Sequence, residues 1–356
     1  MPDDYAKIQW AVDNATTGDT IIVRDGIYYE NVVLNKTLSL IGNGMPIIDA
    51  QCSGSAITIT ADNCAVKGFR CINASRDSPY FDAGIKVASI GNIIENNTCE
   101  KNYNGICLYS SNNTVINNKI CKNDEHGIYL GYSSNNTILN NICEKNWDGI
   151  CLSDSSNNTI KSNVCKNNDC GIQLWMNSSG NIISNNTCED NNIGGIFLDD
   201  SSNNTIAKNS ISKNNHYGIR LYSSSNNKIY LNNLLENPYN VDSLDSTNIW
   251  NSTSKITYTC NGSTYTNYLG NYWSDYTGGD ADGDGIGDTP YVIDGDADNY
   301  PLMLPWENYF QPTPTPPAKT LVVNQTDACT TGDLYFSTIS DAVMNASAGD
   351  TIIVCP

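Results

Sequence analysis

Asn136-Thr-Ile138-Leu-Asn-Asn141-Ile-Cys143-Glu-Lys-Asn146-Trp-Asp-Gly149-Ile150-Cys-Leu152 is one copy of the phrase N-x-[IV]-x-x-N-x-[CIL]-x-x-N, closed by G-I-x-[LV]. The first asparagine and its aliphatic partner recur at Asn92/Ile94, Asn113/Val115, Asn136/Ile138, Asn158/Ile160, Asn181/Ile183, Asn204/Ile206 and Asn227/Ile229, in steps of 21 to 23 residues. The Gly-Ile pairs keep the same beat at Gly84, Gly105, Gly127, Gly149, Gly171, Gly195 and Gly218. Within a period the apolar residues come singly or at i, i+2, as in Ile150 and Leu152. That is the spacing of strands with one buried face, and no amphipathic helix fits it. Asparagine and glycine at fixed offsets supply the turn conformations of corners, where an asparagine can bond its counterpart one rung away and so build a ladder. The chain reads as all-β, a parallel β-helix of roughly 22-residue rungs that bury their interior faces only by stacking. Ile94, Val115, Ile138, Ile160, Ile183, Ile206 and Ile229 are expected in one buried column. Asn97, Asn118, Asn141, Asn163, Asn186 and Asn209 are expected in the adjoining corner.

Stacked rungs need caps. Ile8, Ala11, Val12 and Ala15 lie at i, i+3, i+4, i+7 and predict a short amphipathic helix over the first rung, within a cap of residues 1–18. The solenoid is expected over 19–245 and a C-terminal cap over 246–310. Residues 311–317, Gln-Pro-Thr-Pro-Thr-Pro-Pro, read as a stiff extended linker. Residues 318–356 begin a copy: Ala342–Val354 matches Ala11–Val23 at ten of thirteen places with a constant offset of 331. The tail also carries the strand-like Thr320-Leu-Val-Val-Asn324. The chain is expected to be either a piece of a tandem array or a unit whose tail completes a neighbour near Ile8 to Val23 by strand addition. Met1 opens directly into the cap with no apolar leader, so a mature or trimmed form is expected.

The chain holds 38 acidic against 19 basic residues, a net charge of −19, which argues against nucleic acid and anionic lipid and for cations. No stretch is apolar for long enough to insert in a membrane. Fourteen cysteines without a C-x-x-C pair point away from a reducing compartment. In the third slot of the phrase run Cys99, Ile120, Cys143, Cys165, Cys188, Ile211 and Leu234. Rungs stack about 4.8 Å apart, within reach of a disulfide, so Cys143, Cys165 and Cys188 form either one bridge and a thiol or three buried thiols packed as small hydrophobes. A metal column is the less favoured alternative, because a stack lacks the tetrahedral convergence that zinc requires. Cys107 and Cys151 read as outward-facing and available to another chain. N-x-[ST] sequons at Asn14, Asn73, Asn112, Asn157, Asn251 and Asn324 are glycosylation candidates, although the repeat writes N-N-T without any need for a glycan.

Asp280-Ala-Asp282-Gly-Asp284-Gly285-Ile286-Gly-Asp288 has the spacing of a calcium loop: carboxylates at positions 1, 3, 5 and 9, a glycine at 6 and the Ile286 carbonyl at 7. Position 12 is Tyr291 where a bidentate glutamate is usual, so Asp294, Asp296 or Asp298 is expected to complete the shell around Ca2+. The alternative is a solvated acidic turn. On the outer surface Tyr109, Tyr129, Tyr132, Trp175, Phe197 and Tyr222 form a stripe able to stack on sugar rings or on a partner. The outward acids Asp154, Asp199 and Asp200, with Asp148 one rung from His126, do not converge as the paired carboxylates of a sugar-cleaving site would.

The N-N-T-I, N-x-C and G-I-x-L repeats, the opening Gly18-Asp-Thr-Ile-Ile-Val-Arg-Asp-Gly26 and the closing Gly270-Asn-Tyr-Trp-Ser-Asp-Tyr-Thr277 with its acidic loop resemble the NosD-like family of right-handed β-helices. That family carries the domain named for carbohydrate binding and sugar hydrolysis, and many members are large archaeal cell-surface proteins with tandem domains. The resemblance covers nearly all of Asp19 to Leu304. It implies the fold and an extracellular, cell-surface location, but little about a reaction. The copper suggested by the name of one branch finds no donor set in the sequence, since His126 and His216 lie four rungs apart with no Cys-His cluster beside them. The reading is a secreted structural or adhesive module of a surface layer, sheath or filament, self-associating or meeting other surface-layer proteins. The alternative is a module that binds or cleaves extracellular polysaccharide.

Overall fold

A computed structural model describes residues 5–76, 82–310, 319–323, 334–347 and 350–355. The linker 311–317 and Asn324 lie outside the described residues. The chain divides into two compact units, Met1–Tyr309 and Phe310–Pro356.

The first unit is a parallel β-solenoid of three sheets with ten, eleven and ten strands. Every strand of these three sheets pairs in parallel with its equivalents one rung away, and the C-terminal part of the unit adds two antiparallel hairpins, Ile256–Cys260 with Ser263–Asn267 and Tyr291–Ile293 with Asp296–Asp298. Ile138 lies opposite Val115 on one side and Ile160 on the other, and Cys165 lies between Cys143 and Cys188. The aliphatic column from Ile94 to Ile229 is fully buried, as is the column Cys99, Ile120, Cys143, Cys165, Cys188, Ile211 and Leu234. The glycine of each G-I pair sits where the chain turns onto the third sheet. A Cβ at Gly149 would lie 2.5 Å from the Gly171 carbonyl oxygen and 2.9 Å from the Cys165 Cβ, so no side chain fits. The solenoid runs past residue 245, because Tyr272–Trp273 adds the last strand of the second sheet. The expected cap helix is Ile8–Asn14, with Ile8 and Val12 buried on the first rungs.

The corners hold three asparagine ladders. A residue with positive φ, such as Asn140 (55°), Ser162 (56°) or Asn185 (55°), precedes each ladder asparagine of the second corner from Asn97 to Asn232. The ladder asparagine then donates its backbone N–H to the side-chain oxygen of its counterpart on the next rung: Asn141 to Asn163 and Asn163 to Asn186, both at 2.9 Å. All ladders run in one direction, so donors accumulate at the C-terminal end, and two of the ladders end on carboxylates. Asn248 donates to Asp296 Oδ2 at 2.7 Å, and Asn271 donates to Asp298 Oδ2 at 2.7 Å. The same oxygens accept from the indoles of Trp250 and Trp273, which are buried over the last rung. Asp296 and Asp298 are therefore committed to closing the ladders, and the expectation that they complete a calcium shell is corrected. Burial raises the Asp298 carboxyl to about 6, against the pull of the hydrogen bonds from Asn271, Trp273 and Tyr300.

Cys143, Cys165 and Cys188 are three buried free thiols. Cys107 and Cys151 are also fully buried, which corrects their reading as contact points for another chain. Each faces outward but is small, and its rung neighbours are long: Cys107 lies between Lys86 and Tyr129, and Cys151 between Tyr129 and Gln173. The larger side chains close over the thiols, and burial pushes both thiols well above their ordinary range.

In the second unit Thr320–Val323 is the central strand of a small parallel sheet, between Leu334–Phe336 and Thr351–Val354, with the helix Ile339–Asn345 beside it. Cys355 of this unit is disulfide-bonded. The strand expected to be available to a neighbour is already paired within the tail.

Candidate functional site

The third sheet has the longest strands, such as Asp148–Ser153, Cys170–Trp175 and Gly194–Asp199, and its register sorts their outward residues into three columns. The middle column runs Lys86, Cys107, Tyr129, Cys151, Gln173, Phe197, Arg220, Asp242. The column before the G-I glycines includes Asp148, Cys170, Gly194, Tyr217 and Tyr239, and the column after includes Ser153 and Trp175, with Asp199 opposite Tyr222.

This face brings most of the expected aromatic stripe together. Tyr109 and Tyr129 have ring centroids 6.0 Å apart, Lys86 sits over Tyr109, and Arg220 sits over both Phe197 and Tyr217 while pairing with Asp242 at 2.9 Å. The Trp175 indole donates to Asp199 Oδ2 at 3.1 Å. Tyr222 follows at the strand end, half exposed. Tyr132 departs from the stripe: it occupies a positive-φ corner (53°) after the strand Ile128–Gly131 and is 77% exposed. Asp154 and Asp200 take the same corner position and lie off the sheet.

At the centre of the face, His126 Nδ1 lies 3.0 Å from Asp148 Oδ2, and the carboxylate is buried. Tyr129 stacks on the imidazole, with centroids 5.1 Å apart and planes at 12°. With its nitrogen turned inward the Gln173 amide donates to Asp148 Oδ2 at 2.8 Å, and the Cys170 thiol bonds the same carboxylate from the next rung. His126, Asp148 and Cys151 each bring one ligand atom within 4.8 Å of the others. Sequence reasoning placed His126 and Asp148 one rung apart but missed their convergence with Cys151. Alternation along the strand gave no signal for it, since Asp148 and Cys151 are three residues apart and a regular pleat sets them on opposite faces; the break in alternation at Gly149, where a Cβ would point inward at Cys165, brings them to one side.

In the acidic loop Asp280, Asp282 and Asp284 also bring one ligand atom each within 4.8 Å. Asp288 instead accepts from the Ala281 amide at 2.7 Å, and Asp280 accepts from Gly283 and Gly285. Ile286 is buried, bridging to Leu302. Tyr291 donates to Asp275 at 3.0 Å. Of the sequon asparagines, Asn14, Asn112 and Asn157 are exposed, whereas Asn73 and Asn251 are half-buried and hydrogen-bonded through their side-chain nitrogens.

The profile of the family described as periplasmic copper-binding protein (NosD) matches residues 12–191 and 122–278, and the chain belongs to this family. A cell surface glycoprotein of Methanothermus fervidus is 40% identical over 100 residues, which are 27% of this chain and 16% of that protein. Among solved structures, the A-module of the Azotobacter vinelandii mannuronan C-5 epimerase AlgE4 aligns with a TM-score of 0.53 at 20% identity, over 67% of this chain and 75% of that one. Pectate lyase Pel9A aligns with a TM-score of 0.53 at 18% identity, over 67% of this chain and 72% of that one. These structures share the fold.

The absence of a Cys-His cluster, expected from the sequence, is corrected by the His126, Asp148 and Cys151 set. One imidazole, one carboxylate and one thiol are donors of the kind that a borderline cation such as copper takes, and these are the residues that would hold it.

Proposed function

We propose that the chain is a structural or adhesive module of an extracellular, cell-surface β-helix protein. The observation that carries this reading is the pair of asparagine ladders that run from Asn92 and Asn97 to the C-terminal end of the solenoid and end on Asp296 and Asp298. They build a rod whose corners are hydrogen-bonded from rung to rung, suited to bear load and to present long side faces. The likeness to a cell surface glycoprotein and the surplus of acidic residues support the location. A calcium ion held by Asp280, Asp282 and Asp284 would neutralise the loop of the C-terminal cap. Antibody labelling of intact source cells tests the proposal: surface signal is expected, and signal only after permeabilisation would refute it.

A second reading is favoured by the face of the third sheet, where aromatic rings, Lys86, Arg220 and the His126–Asp148 pair line one surface. Rings stack on sugars and the cations suit uronate carboxylates. On this reading the face binds, or with His126 as a proton-transfer group cleaves, an acidic polysaccharide. Loss of glycan retention in Trp175→Ala and Arg220→Ala supports it, and release of unsaturated uronate identifies cleavage.

A further inference from the structure

The strand Thr20–Val23 begins the first sheet and, among the described residues, pairs only with Ser39–Gly42. Ser39 N donates to the Asp19 carbonyl at 3.0 Å and Asn43 N to the Val23 carbonyl at 2.8 Å. In a parallel strand the alternate residues, Thr20 and Ile22, then turn their backbone groups to the opposite edge, where no described strand meets them. Beside that edge lies a groove of about 900 Å³ lined by Tyr5, Ala11, Ala15, Ile21 and Ile22. Ile22 is 66% exposed and Trp10, on the helix, 50%.

The tail repeats these elements at the same offset of 331 residues. The helix Ile8–Asn14 corresponds to Ile339–Asn345, and Thr20–Val23 to Thr351–Val354. In the copy, the edge equivalent to that of Thr20–Val23 is filled by Thr320–Val323, in the register Thr320 to Thr351 and Val323 to Val354. Leu321 and Val323 are buried there against Phe336, Ala342, Ala346 and Ile352. Subtraction of 331 turns those four positions into Tyr5, Ala11, Ala15 and Ile21, all lining the groove. The polar contacts transfer as well. Asp350 uses Oδ2 for the Ser347 amide and Oδ1 for the Lys319 amide of the added strand. Asp19 uses Oδ2 for the Thr16 amide and has Oδ1 to offer. The two helices bury opposite faces: Ile8 and Val12 are covered and Ala11 is not, whereas Ala342 is covered and Val343 is 57% exposed.

We propose that the free edge of Thr20–Val23 is a strand-addition site for an extended segment of the Thr-Leu-Val-Val type, lying parallel to it with alternate apolar side chains in the groove. The alternate leucine and valine enter the groove, and the amide before the threonine bonds Asp19 Oδ1. The segment is an equivalent of Thr320–Val323 and not that strand itself, which is paired within its own unit.

The test places a second copy of the sequence 319–333 ahead of Asp3 in the full chain and follows amide exchange at Thr20 and Ile22. Slowing by at least about tenfold is expected from a newly paired edge. The same graft with aspartate in place of its leucine and second valine should leave exchange as in the unmodified chain. A free Lys-Thr-Leu-Val-Val-Asn peptide supplied in excess should protect the same two amides, which keeps the test valid where the graft misfolds. Unchanged exchange with both graft and peptide would overturn the site. Concentration-dependent protection in the unmodified chain alone would show that a second copy is the occupant, and would overturn the assignment to this segment.

Discussion

Replacing Asn163 by alanine tests whether the ladders hold the solenoid together. The Asn163 side-chain oxygen accepts the Asn141 backbone N–H at 2.9 Å and its side-chain nitrogen at 3.0 Å. The Asn163 side-chain nitrogen donates to the Ile138 carbonyl at 2.9 Å, to Lys161 at 3.0 Å and to Asn186 at 3.1 Å. Alanine leaves the Asn163 main chain bonded to Asn186 and leaves the Asn141 side chain its bonds to Val115 and Leu139. What it strands is the buried Asn141 N–H and the bond to the Ile138 carbonyl. At about 1–3 kcal/mol for each of the two stranded buried groups, the expected cost is about 2–6 kcal/mol. Asn167, exposed at a positive-φ corner (54°), is the control: glycine there should change stability by less than about 0.5 kcal/mol. Repeat proteins can unfold in parts, so the measurement is amide exchange across the chain together with thermal melting. Faster exchange should centre on the rungs holding Asn141, Asn163 and Asn186. A mutant that melts with the wild type and exchanges Asn141 at the same rate would refute the assignment of stability to the ladder.

Ile160→Asp buries an unpaired charge in the aliphatic column and should cost several kcal/mol, visible as loss of soluble folded protein or a large drop in melting temperature. Millimolar calcium should raise the melting temperature over chelator, and Asp282→Asn with Asp284→Asn should abolish the rise; equal melting with and without calcium counts against a site there. Asp298 titrates near 3.8 unfolded and about 6 folded. A raised acid favours the protonated native state, so its contribution is full below pH 3.8 and is lost as the pH rises through about 6. Denaturation in chelator should therefore become harder from pH 7 to pH 5 by about 1 kcal/mol, and Asp298→Asn should flatten that slope. Cys52 is exposed and should react with thiol reagents in the native state, whereas Cys107, Cys151 and Cys188 should react only on unfolding; rapid native labelling of Cys151 would contradict its burial.

The 22-residue spacing determined the parallel solenoid, the buried columns and the corner ladders, because strand pleat and corner geometry repeat with the chain itself. An aliphatic residue two after a corner asparagine can point only inward once the rungs stack, so Ile138 and Ile160 were legible without coordinates. The cap helix was legible from the i, i+3, i+4 pattern of Ile8, Ala11 and Val12. The tertiary structure decided what depends on neighbours in other rungs. Cys107 and Cys151 alternate outward by the pleat, yet only the lengths of Lys86, Tyr129 and Gln173 beside them make them buried. His126, Asp148 and Cys151 belong to two rungs and two columns, and their convergence follows from register and rotamer together. Asp296 and Asp298 looked like calcium ligands within an acidic run. The folding back of the cap over Trp250 and Trp273 places them at the donor ends of the ladders, because a buried N–H takes whatever acceptor the returning chain brings within reach.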